Sequence, residues 1–284
     1  NVQAKHFLPK QDLYTFTGNL EAKGVGVDML SPRTRLQAKA KVNHVHYGKY
    51  KLDNILAVAH VANGKIHADV DSKNQYLKGL VSLDALTHSK NLQATLTADV
   101  RDANLYLFEI TQKPVNASLC GVVDLKSNLK DSHQLMANMS DITIKTPDAV
   151  YRPVGVDVDI FTRRDTTHAI AECGDFHLNM DAHGGYQMLL DRLTGLQKEL
   201  VKQLKNRRID QVKIRNQFPL GHIYLSTGKD NFISRFINYC GYQFKAVDMD
   251  LTASPITGLN GYLNVDSLVA SGIQLDTIRA LIHT

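Results

Sequence analysis

The sequence predicts a mainly β protein whose sheet is largely antiparallel and is interrupted by one long and one short helix. Apolar and polar residues alternate over much of residues 1–183, and a period of two is typical of half-buried strands. Gly, Asn, Asp and Pro fill the gaps between these runs, and no gap is long enough for a crossover helix. Strand therefore follows strand through hairpins or a meander, which favours antiparallel pairing.

Composition narrows the classes of function. The chain has 284 residues, of which 43% are hydrophobic, enough to build a core. No run approaches the roughly 18 consecutive apolar residues that a membrane-spanning helix needs, so we expect a soluble chain. The net charge of +5 is compatible with an anionic membrane or a nucleic acid. The absence of tryptophan and the small number of other aromatic residues argue against a surface that stacks on bases.

The two ends indicate a segment of a longer protein. The sequence begins at Asn1 without an initiator methionine or a signal-peptide pattern, and it stops at Thr284 within a predicted strand. We expect any export signal or membrane anchor to lie outside these residues.

A β-hairpin is predicted around Asn63-Gly64, the dipeptide that best fits a tight type I′ turn. Alternating runs flank it on both sides, so the register follows by counting outward from the turn. The predicted pairs are Val61 with Ile66, Ala59 with Ala68, and Ala57 with Val70, with His60 opposite His67 on the other side. One face of this hairpin is predicted to be apolar and the other wet.

The apolar face is rich in alanine, which leaves space above the sheet that Leu or Phe would fill. Small residues could let a helix approach closely, or they could line a groove that stays open for an apolar guest. The sequence leaves both interpretations open.

A long amphipathic helix is predicted from Tyr186 to Lys205. Five leucines recur there at spacings of three and four residues, which predicts a stripe that packs on the sheet. These are Leu189, Leu193, Leu196, Leu200 and Leu204. Basic residues cluster at the C-terminal end of this helix, where they complement its dipole or could contact anionic headgroups. The basic residues are Lys198, Lys202, Lys205, Arg207 and Arg208.

A second, shorter helix is predicted to begin after Asp230 as N-cap and to stop at Gly241. The predicted organisation is a repetitive β segment over residues 1–183, a helical insertion packed on the sheet over 184–240, and a β continuation over 241–284. All three belong to one structural unit in this prediction.

A weak internal repeat contains a glycine within a strand pattern. It occurs around Gly79 and Gly261, and in part around Gly121. Such glycines can mark a bulge or bend where a sheet curves, and chance recurrence is the alternative.

Catalytic and nucleotide-binding motifs are absent from the sequence, so no enzyme is predicted and no cofactor is expected. A surface metal site is conceivable at His44 and His46, or at His60 and His67. No nearby carboxylate or cysteine completes a ligand set in the sequence, which favours solvated histidines and no metal. The three cysteines are odd in number and far apart, which fits neither a disulfide framework nor a zinc site.

Several phrases of the sequence resemble the TamB branch of the AsmA-like proteins, the translocation and assembly module family, as found in the Bacteroidota. The resemblance extends over essentially the whole chain. It is carried by GKIHADVDSKNQYLKGLVSLDAL from Gly64, GKDNFISRF from Gly228, GYQF from Gly241 and SPITGLNGYLNVDSL from Ser254.

This resemblance implies a long, curved β-groove with an apolar interior that serves phospholipid transport and outer-membrane biogenesis without catalysis. It implies a periplasmic protein anchored in the inner membrane, with an outer-membrane barrel protein of the Omp85 type as partner through parts outside these residues. No nucleic acid is expected to bind. The groove-lining residues that it implies are Ala38, Ala40, Ala57, Ala59, Val61, Ile66, Ala68, Val70, Ala94, Leu96 and Ala98.

Two other functions stay open. A scaffold or chaperone-like protein could pair its exposed strand edges with outer-membrane protein strands during their assembly. A surface β-protein or hydrolase with unrecognised chemistry is the third class. A continuous apolar face favours the conduit, a bare edge strand the scaffold, and a closed pocket with converging His and carboxylates the hydrolase.

Overall fold

A computed structural model describes residues 13–26, 28, 30–47, 49–88, 90–270 and 273–283. The protein is mainly β, with 62% of its residues in strands, and the strands pair antiparallel, which confirms the predicted fold class. The described residues of Asn1–Lys126 and Asn138–Arg152 form one compact unit, unit 1. Those of Ser127–Ala137 and Pro153–Thr284 form a second, unit 2.

Unit 1 consists of strands and the turns between them. Its elements, with β7 and β8 lying mostly in this unit, are β1 (Leu13–Val25), β2 (Arg35–Tyr47), β3 (Tyr50–Ala62), β4 (Lys65–Lys73), β5 (Leu77–His88), β6 (Asn91–Asn104), β7 (Asn116–Ser127), β8 (His133–Lys145) and β9 (Val150–Tyr151). Each of β1 to β5 pairs antiparallel with the next strand along the chain. Hydrogen bonds from Thr95 to Asp124 (2.6 Å) and from Asn116 to Asp102 (2.6 Å) join β6 to β7. The result is the predicted meander.

The hairpin between β3 and β4 has the predicted register in every pair, including His60 opposite His67. Asn63 and Gly64 have φ angles of 55° and 74°. Positive φ at both central residues defines the type I′ turn, whose twist matches that of the flanking strands. The local turn chemistry therefore sets the pairing of the whole hairpin.

Two of the three repeat glycines allow a close backbone approach. Gly79 lies at a register shift in the β5–β6 pair, and a Cβ there would collide with the carbonyl oxygen of Asp99. Gly261 has a φ of 135°, and a Cβ would collide with the carbonyl oxygen of Asp250. A Cβ on Gly121 would make only ordinary contacts, so the third copy lacks this constraint.

Unit 2 combines strands with the three helices of the described residues. Its elements are β10 (Val156–Thr162), β11 (Thr166–Cys173), β12 (Phe176–His183), α1 (Tyr186–Asn206), α2 (Gln211–Arg215), β13 (Gly221–Gly228), α3 (Phe232–Tyr239), β14 (Tyr242–Gln243), β15 (Ala246–Ser254), β16 (Gly258–Ala270) and β17 (Ile273–Ile282). The pairing order is β10, β11, β12, β13, β15, β16, β17, all antiparallel, and β14 pairs with β16. Strand β13 and helix α2 both lie within residues 184–240, which the sequence predicted as a helical insertion. The insertion is thus helical only in part, because β13 pairs with β12 and β15.

The long helix occurs where predicted, but the predicted packing of its whole leucine stripe is wrong. Leu189 is 8% exposed, whereas Leu193, Leu200 and Leu204 are exposed. Helix periodicity shows that the leucines share a side but does not show what covers them. The buried side of α1 is a neighbouring flank that carries Leu189 and Gln203.

The second predicted helix also exists, but its N-cap is Asn231 instead of Asp230. The Asn231 side-chain oxygen accepts a hydrogen bond from the Ser234 N–H at 2.7 Å, and its amide donates to Asp175 at 2.7 Å. An amide can accept and donate at once, whereas the Asp230 carboxylate pairs with Arg235 at the surface.

Buried apolar side chains include Val115, Ile142 and Ile144 in unit 1, and Val156 and Cys173 in unit 2. The three cysteines are free thiols. Among the described residues, no helix combines the length and the apolarity needed to cross a membrane.

Candidate functional site: the alanine face

One face of β1 to β6 in unit 1 is almost entirely apolar. Directly paired residues on neighbouring strands share a face, so the register of five successive pairs gives four rows that run across the strands. The rows are Gly24–Leu36–Val61–Ile66–Ala85–Ala94, Ala22–Ala38–Ala59–Ala68–Leu83–Leu96, Leu20–Ala40–Ala57–Val70–Val81–Ala98 and Gly18–Val42–Ile55–Ser72–Gly79–Val100. We call this surface the alanine face. Its one polar side chain is that of Ser72.

All of the predicted groove-lining residues lie on the alanine face, in its first three rows. Pairing across β2, β3 and β4 brings together Ala38, Ala59 and Ala68 in one row and Ala40, Ala57 and Val70 in the next. Strand β5 then connects Ile66 with Ala94, Ala68 with Leu96, and Val70 with Ala98. Residues far apart in sequence thus form one continuous surface.

The prediction missed the residues that β1 and β5 add to this face. Strand β1 contributes Leu20 and Ala22, and β5 contributes Val81, Leu83 and Ala85. The signal for β5 was present, since these three residues alternate with Ser82 and Asp84 in the phrase LVSLDAL. For β1 the alternation with Asn19, Glu21 and Lys23 is equally regular.

The alanine face remains partly accessible. Most of its residues are half-buried, Val61 is buried, and Val70 and Leu96 are each 37% exposed. Leu20 on β1 is 67% exposed. From standard strand spacings the face measures about 24 Å across the strands and about 20 Å along them. Alanine side chains are short, so over much of this area little projects above the backbone of the sheet.

The opposite face of the same strands carries the charged residues. The two ring nitrogens of His67 contact Asp84 at 2.7 Å and Asp69 at 3.1 Å, and the Ser82 hydroxyl donates to Asp69 at 2.6 Å. The hydrogen bonds to Asp84 and then to Asp69 raise the pKa of His67 above its usual value. The hydrogen bond from Ser82 lowers the pKa of Asp69.

This opposite face is less uniformly polar than predicted. Leu56, Val58 and Leu80 also lie on it and are 37–39% exposed. Their neighbours across the strands are carboxylates, because both Leu56 and Leu80 pair with Asp71. Apolar side chains here are separated by charges, whereas on the alanine face they are continuous.

Unit 2 has an apolar face of the same kind, built from larger side chains. Its two central rows are Val158–Ala171–Leu178–Leu225–Met249–Leu263–Ala280 and Ile160–Ala169–Met180–Ile223–Leu251–Gly261–Ile282. Every one of these residues is half-buried. On the opposite face, His168 contacts Asp181 at 2.6 Å and His222 contacts Asp250 at 2.8 Å. The alternation of an apolar and a charged face therefore recurs in each unit.

The histidines considered as metal ligands do not form a metal centre. His44 lies opposite Asp53, His46 lies opposite Lys51, and His60 lies opposite His67. Within the described ranges, no group of three or more His, Cys, Asp or Glu side chains is placed to hold a metal ion. The contacts of His67 are carboxylates on its own face, so its ring nitrogens serve hydrogen bonding.

Comparisons of the chain with protein-family models, with curated proteins and with solved structures gave no match. The geometry is therefore the basis for any functional assignment. A continuous, partly accessible apolar face without convergent polar groups can bind apolar groups through burial, and it offers no set of side chains arranged for acid–base or nucleophilic chemistry.

Proposed function

We propose that the protein is a non-enzymatic lipid-binding protein whose alanine face holds the acyl chains of phospholipids. The observation that carries this proposal is the continuity of four apolar rows across β1 to β6 in a surface that stays partly accessible. Contiguous apolar surface of this size on a folded unit normally has a partner.

The dimensions suit an acyl chain. The hydrocarbon core of a bilayer is about 30 Å thick, so a single phospholipid tail spans about 15 Å. That length fits on a face of about 20 by 24 Å in either direction. Each buried methylene contributes about 0.8 kcal/mol, and this driving force needs no directional contact. We expect low selectivity among acyl chains.

The charged face is a poor alternative for the same ligand. Acyl chains lying over Leu56 and Leu80 would remove water from Asp71 between them, and desolvating an ionised carboxylate is costly. The alanine face presents no such cost. The phospholipid headgroup, in contrast, would remain in water.

The apolar face of unit 2 extends the proposal. Its rows contain Leu, Met and Ile, which bury more area for each residue than alanine does. The resemblance to TamB proteins supports the same assignment, and with it come a periplasmic location, an inner-membrane anchor and a role in outer-membrane lipid transport as parts of the proposal.

The test is site-specific photo-crosslinking during expression in a bacterial periplasm. A photoreactive amino acid replaces Ala59 in one variant and the adjacent His60 in the other. Because side chains alternate across a strand, the two probes lie one residue apart but on opposite faces. We expect phospholipid adducts, detected by mass spectrometry of the purified chain, at Ala59 and not at His60.

Native mass spectrometry of the unmodified chain, purified without detergent, provides a second measurement. Co-purified phospholipid supports the proposal. Equal crosslinking at Ala59 and His60, or crosslinks from Ala59 only to unfolded outer-membrane proteins, would overturn it, the latter in favour of the scaffold function.

A further inference from the structure

Helix α1 of unit 2 carries an apolar surface of its own. Seven apolar residues along it are between 38% and 70% exposed, and all of them except Met188 lie on one side of the helix. These six are Tyr186, Leu190, Leu193, Leu200, Val201 and Leu204. At about 100° for each residue they fall within one band about 100° wide along the helix, which we call the outer stripe. From Leu190 to Leu204 it runs for about 21 Å.

The exposure of the outer stripe does not come from a loosely held helix. At its start the Tyr186 N–H donates to the buried Thr162 hydroxyl at 3.0 Å, and Leu189 is buried beside it. In the middle, the Arg192 guanidinium donates to the carbonyl oxygens of Asn216 at 2.9 Å and Phe218 at 3.3 Å. These contacts fix one flank of α1 against unit 2.

The C-terminal end is held on the same flank. Gln203 is buried; its side-chain oxygen accepts the Asp210 N–H at 2.6 Å and its amide donates to Glu199 at 2.8 Å. The helix then ends at Arg207, whose φ of 51° turns the chain back towards α2. With both ends anchored on one flank, the outer stripe on the adjacent side of the helix stays exposed.

Basic side chains border the other edge of the stripe. Lys198, Lys202 and Lys205 lie about a quarter to a half turn around the helix from Leu204, and Arg207 and Arg208 follow directly. All five are exposed, and none forms an ion pair with another residue of the described part of the chain. The acidic residues of α1 lie elsewhere: Glu199 bonds Gln203 on the buried flank, and Asp191 lies near the N-terminal end beside Gln187.

We propose that α1 docks this protein on an anionic membrane surface. The outer stripe enters the boundary between headgroups and acyl chains, and the unpaired lysines and arginines contact lipid phosphates. An amphipathic helix with an apolar band and a basic flank binds in this way, parallel to the membrane plane. Lysine stems can also lie along the apolar boundary while their ammonium groups reach the headgroups.

Charge complementarity selects the membrane over a second copy of the chain. If two copies packed stripe against stripe, they would bring two sets of unpaired cations together, and like charges without counterions are unfavourable. An anionic bilayer supplies both the apolar volume and the opposite charge. Ile209 and Val212, which follow the helix in sequence, are also exposed.

The first experiment uses tryptophan fluorescence, since the chain has no tryptophan of its own. Leu193→Trp places a probe on the outer stripe, and Asp191→Trp places one on the opposite, polar side two residues away. Vesicles of phosphatidylcholine with phosphatidylglycerol should shift the emission of Leu193→Trp to shorter wavelength and leave Asp191→Trp unchanged. Neither probe should respond to phosphatidylcholine alone.

The second experiment is vesicle co-sedimentation with matched variants. Each basic residue near an anionic membrane surface contributes about 1 kcal/mol to binding. The double variant Lys198→Gln with Lys202→Gln should therefore bind anionic vesicles roughly thirtyfold more weakly than wild type. Lys229→Gln is the control. Leu193→Ser with Leu204→Ser should abolish measurable binding, and Ile256→Ser, which removes an exposed apolar side chain from the turn between β15 and β16, should not. Thermal unfolding verifies that all variants remain folded.

Equal binding to neutral and anionic vesicles, or unchanged binding in both double variants, would overturn the proposal. So would a dimer in solution that Leu193→Ser with Leu204→Ser converts to monomer, because a second copy would then cover the stripe. These experiments distinguish membrane docking by α1 from lipid binding by the alanine face. The α1 variants should retain co-purified phospholipid. A charge introduced on the alanine face should leave vesicle docking intact.

Discussion

Ala59 lies directly opposite Ala68 in the β3–β4 pair, while the next residue, His60, lies opposite His67 on the other face of the same two strands. Two small side chains therefore meet at the centre of the alanine face, and two ionisable ones meet behind them. This arrangement lets single substitutions separate the two faces of one hairpin.

The first prediction concerns Ala59→Asp and its neighbour His60→Asp. Water can reach a carboxylate on a partly accessible face, so Ala59→Asp should fold with a loss of about 1–2 kcal/mol. Bound acyl chains would have to displace that water, and co-purified phospholipid should fall to background. His60→Asp should preserve both properties. Circular dichroism reports folding, and mass spectrometry reports lipid content.

Unfolding of Ala59→Asp under conditions where His60→Asp is native would show that the alanine face is a closed core. Full lipid content in both variants would contradict the proposed binding surface.

The second prediction follows from the raised pKa of His67, which NMR titration of the imidazole should find above its usual 6.5. Asp84→Asn removes the hydrogen bond that contributes most to this shift and should move the pKa back towards 6.5. A raised folded-state pKa stabilises the protein below the unfolded pKa, and this stability is lost as pH rises through the folded pKa. The stability difference between wild type and Asp84→Asn should be larger at about pH 5.5 than at about pH 9. If the stability difference between the two proteins does not change with pH, the contribution of Asp84 does not depend on protonation of His67.

The third prediction compares two leucines of α1. Leu189→Ala removes a buried side chain and should cost about 2–3 kcal/mol of unfolding free energy. Leu204→Ala removes an exposed one and should change stability by less than about 0.5 kcal/mol. Urea unfolding of the chain, followed by far-ultraviolet circular dichroism, measures both losses. Equal losses would mean that something covers the outer stripe in solution.

The fourth prediction concerns the cap of α3. Asn231→Ala removes the acceptor for the Ser234 N–H and the donor to Asp175, so a loss of about 2 kcal/mol is expected. Asp230→Ala removes only a surface ion pair with Arg235 and should cost well under 1 kcal/mol. Thermal shifts of the two variants should differ in that order, and the reverse order would assign the cap to Asp230.

Local patterns in the sequence determined much of unit 1. A period of two places side chains on alternate faces wherever the backbone is extended, and Asn63-Gly64 sets the hairpin register because few other residues adopt two successive positive φ angles. The residues from Ala38 to Ala98 that share the alanine face could be selected on that basis. The span of α1 was predictable for the same reason, since helical periodicity is a local property.

Tertiary structure decided what those local patterns leave undetermined. The leucine spacing of α1 aligns Leu189 with Leu204. It does not reveal that a neighbouring flank is the one held in place, through hydrogen bonds of Tyr186 to Thr162 and of Gln203 to Asp210. Asn231 was preferred over Asp230 as a cap because its amide also reaches Asp175, a residue far away in sequence. Strand β13 formed within a largely helical segment because β12 and β15 supply its hydrogen bonds. Each outcome depends on partners distant along the chain, and periodicity carries no information about them.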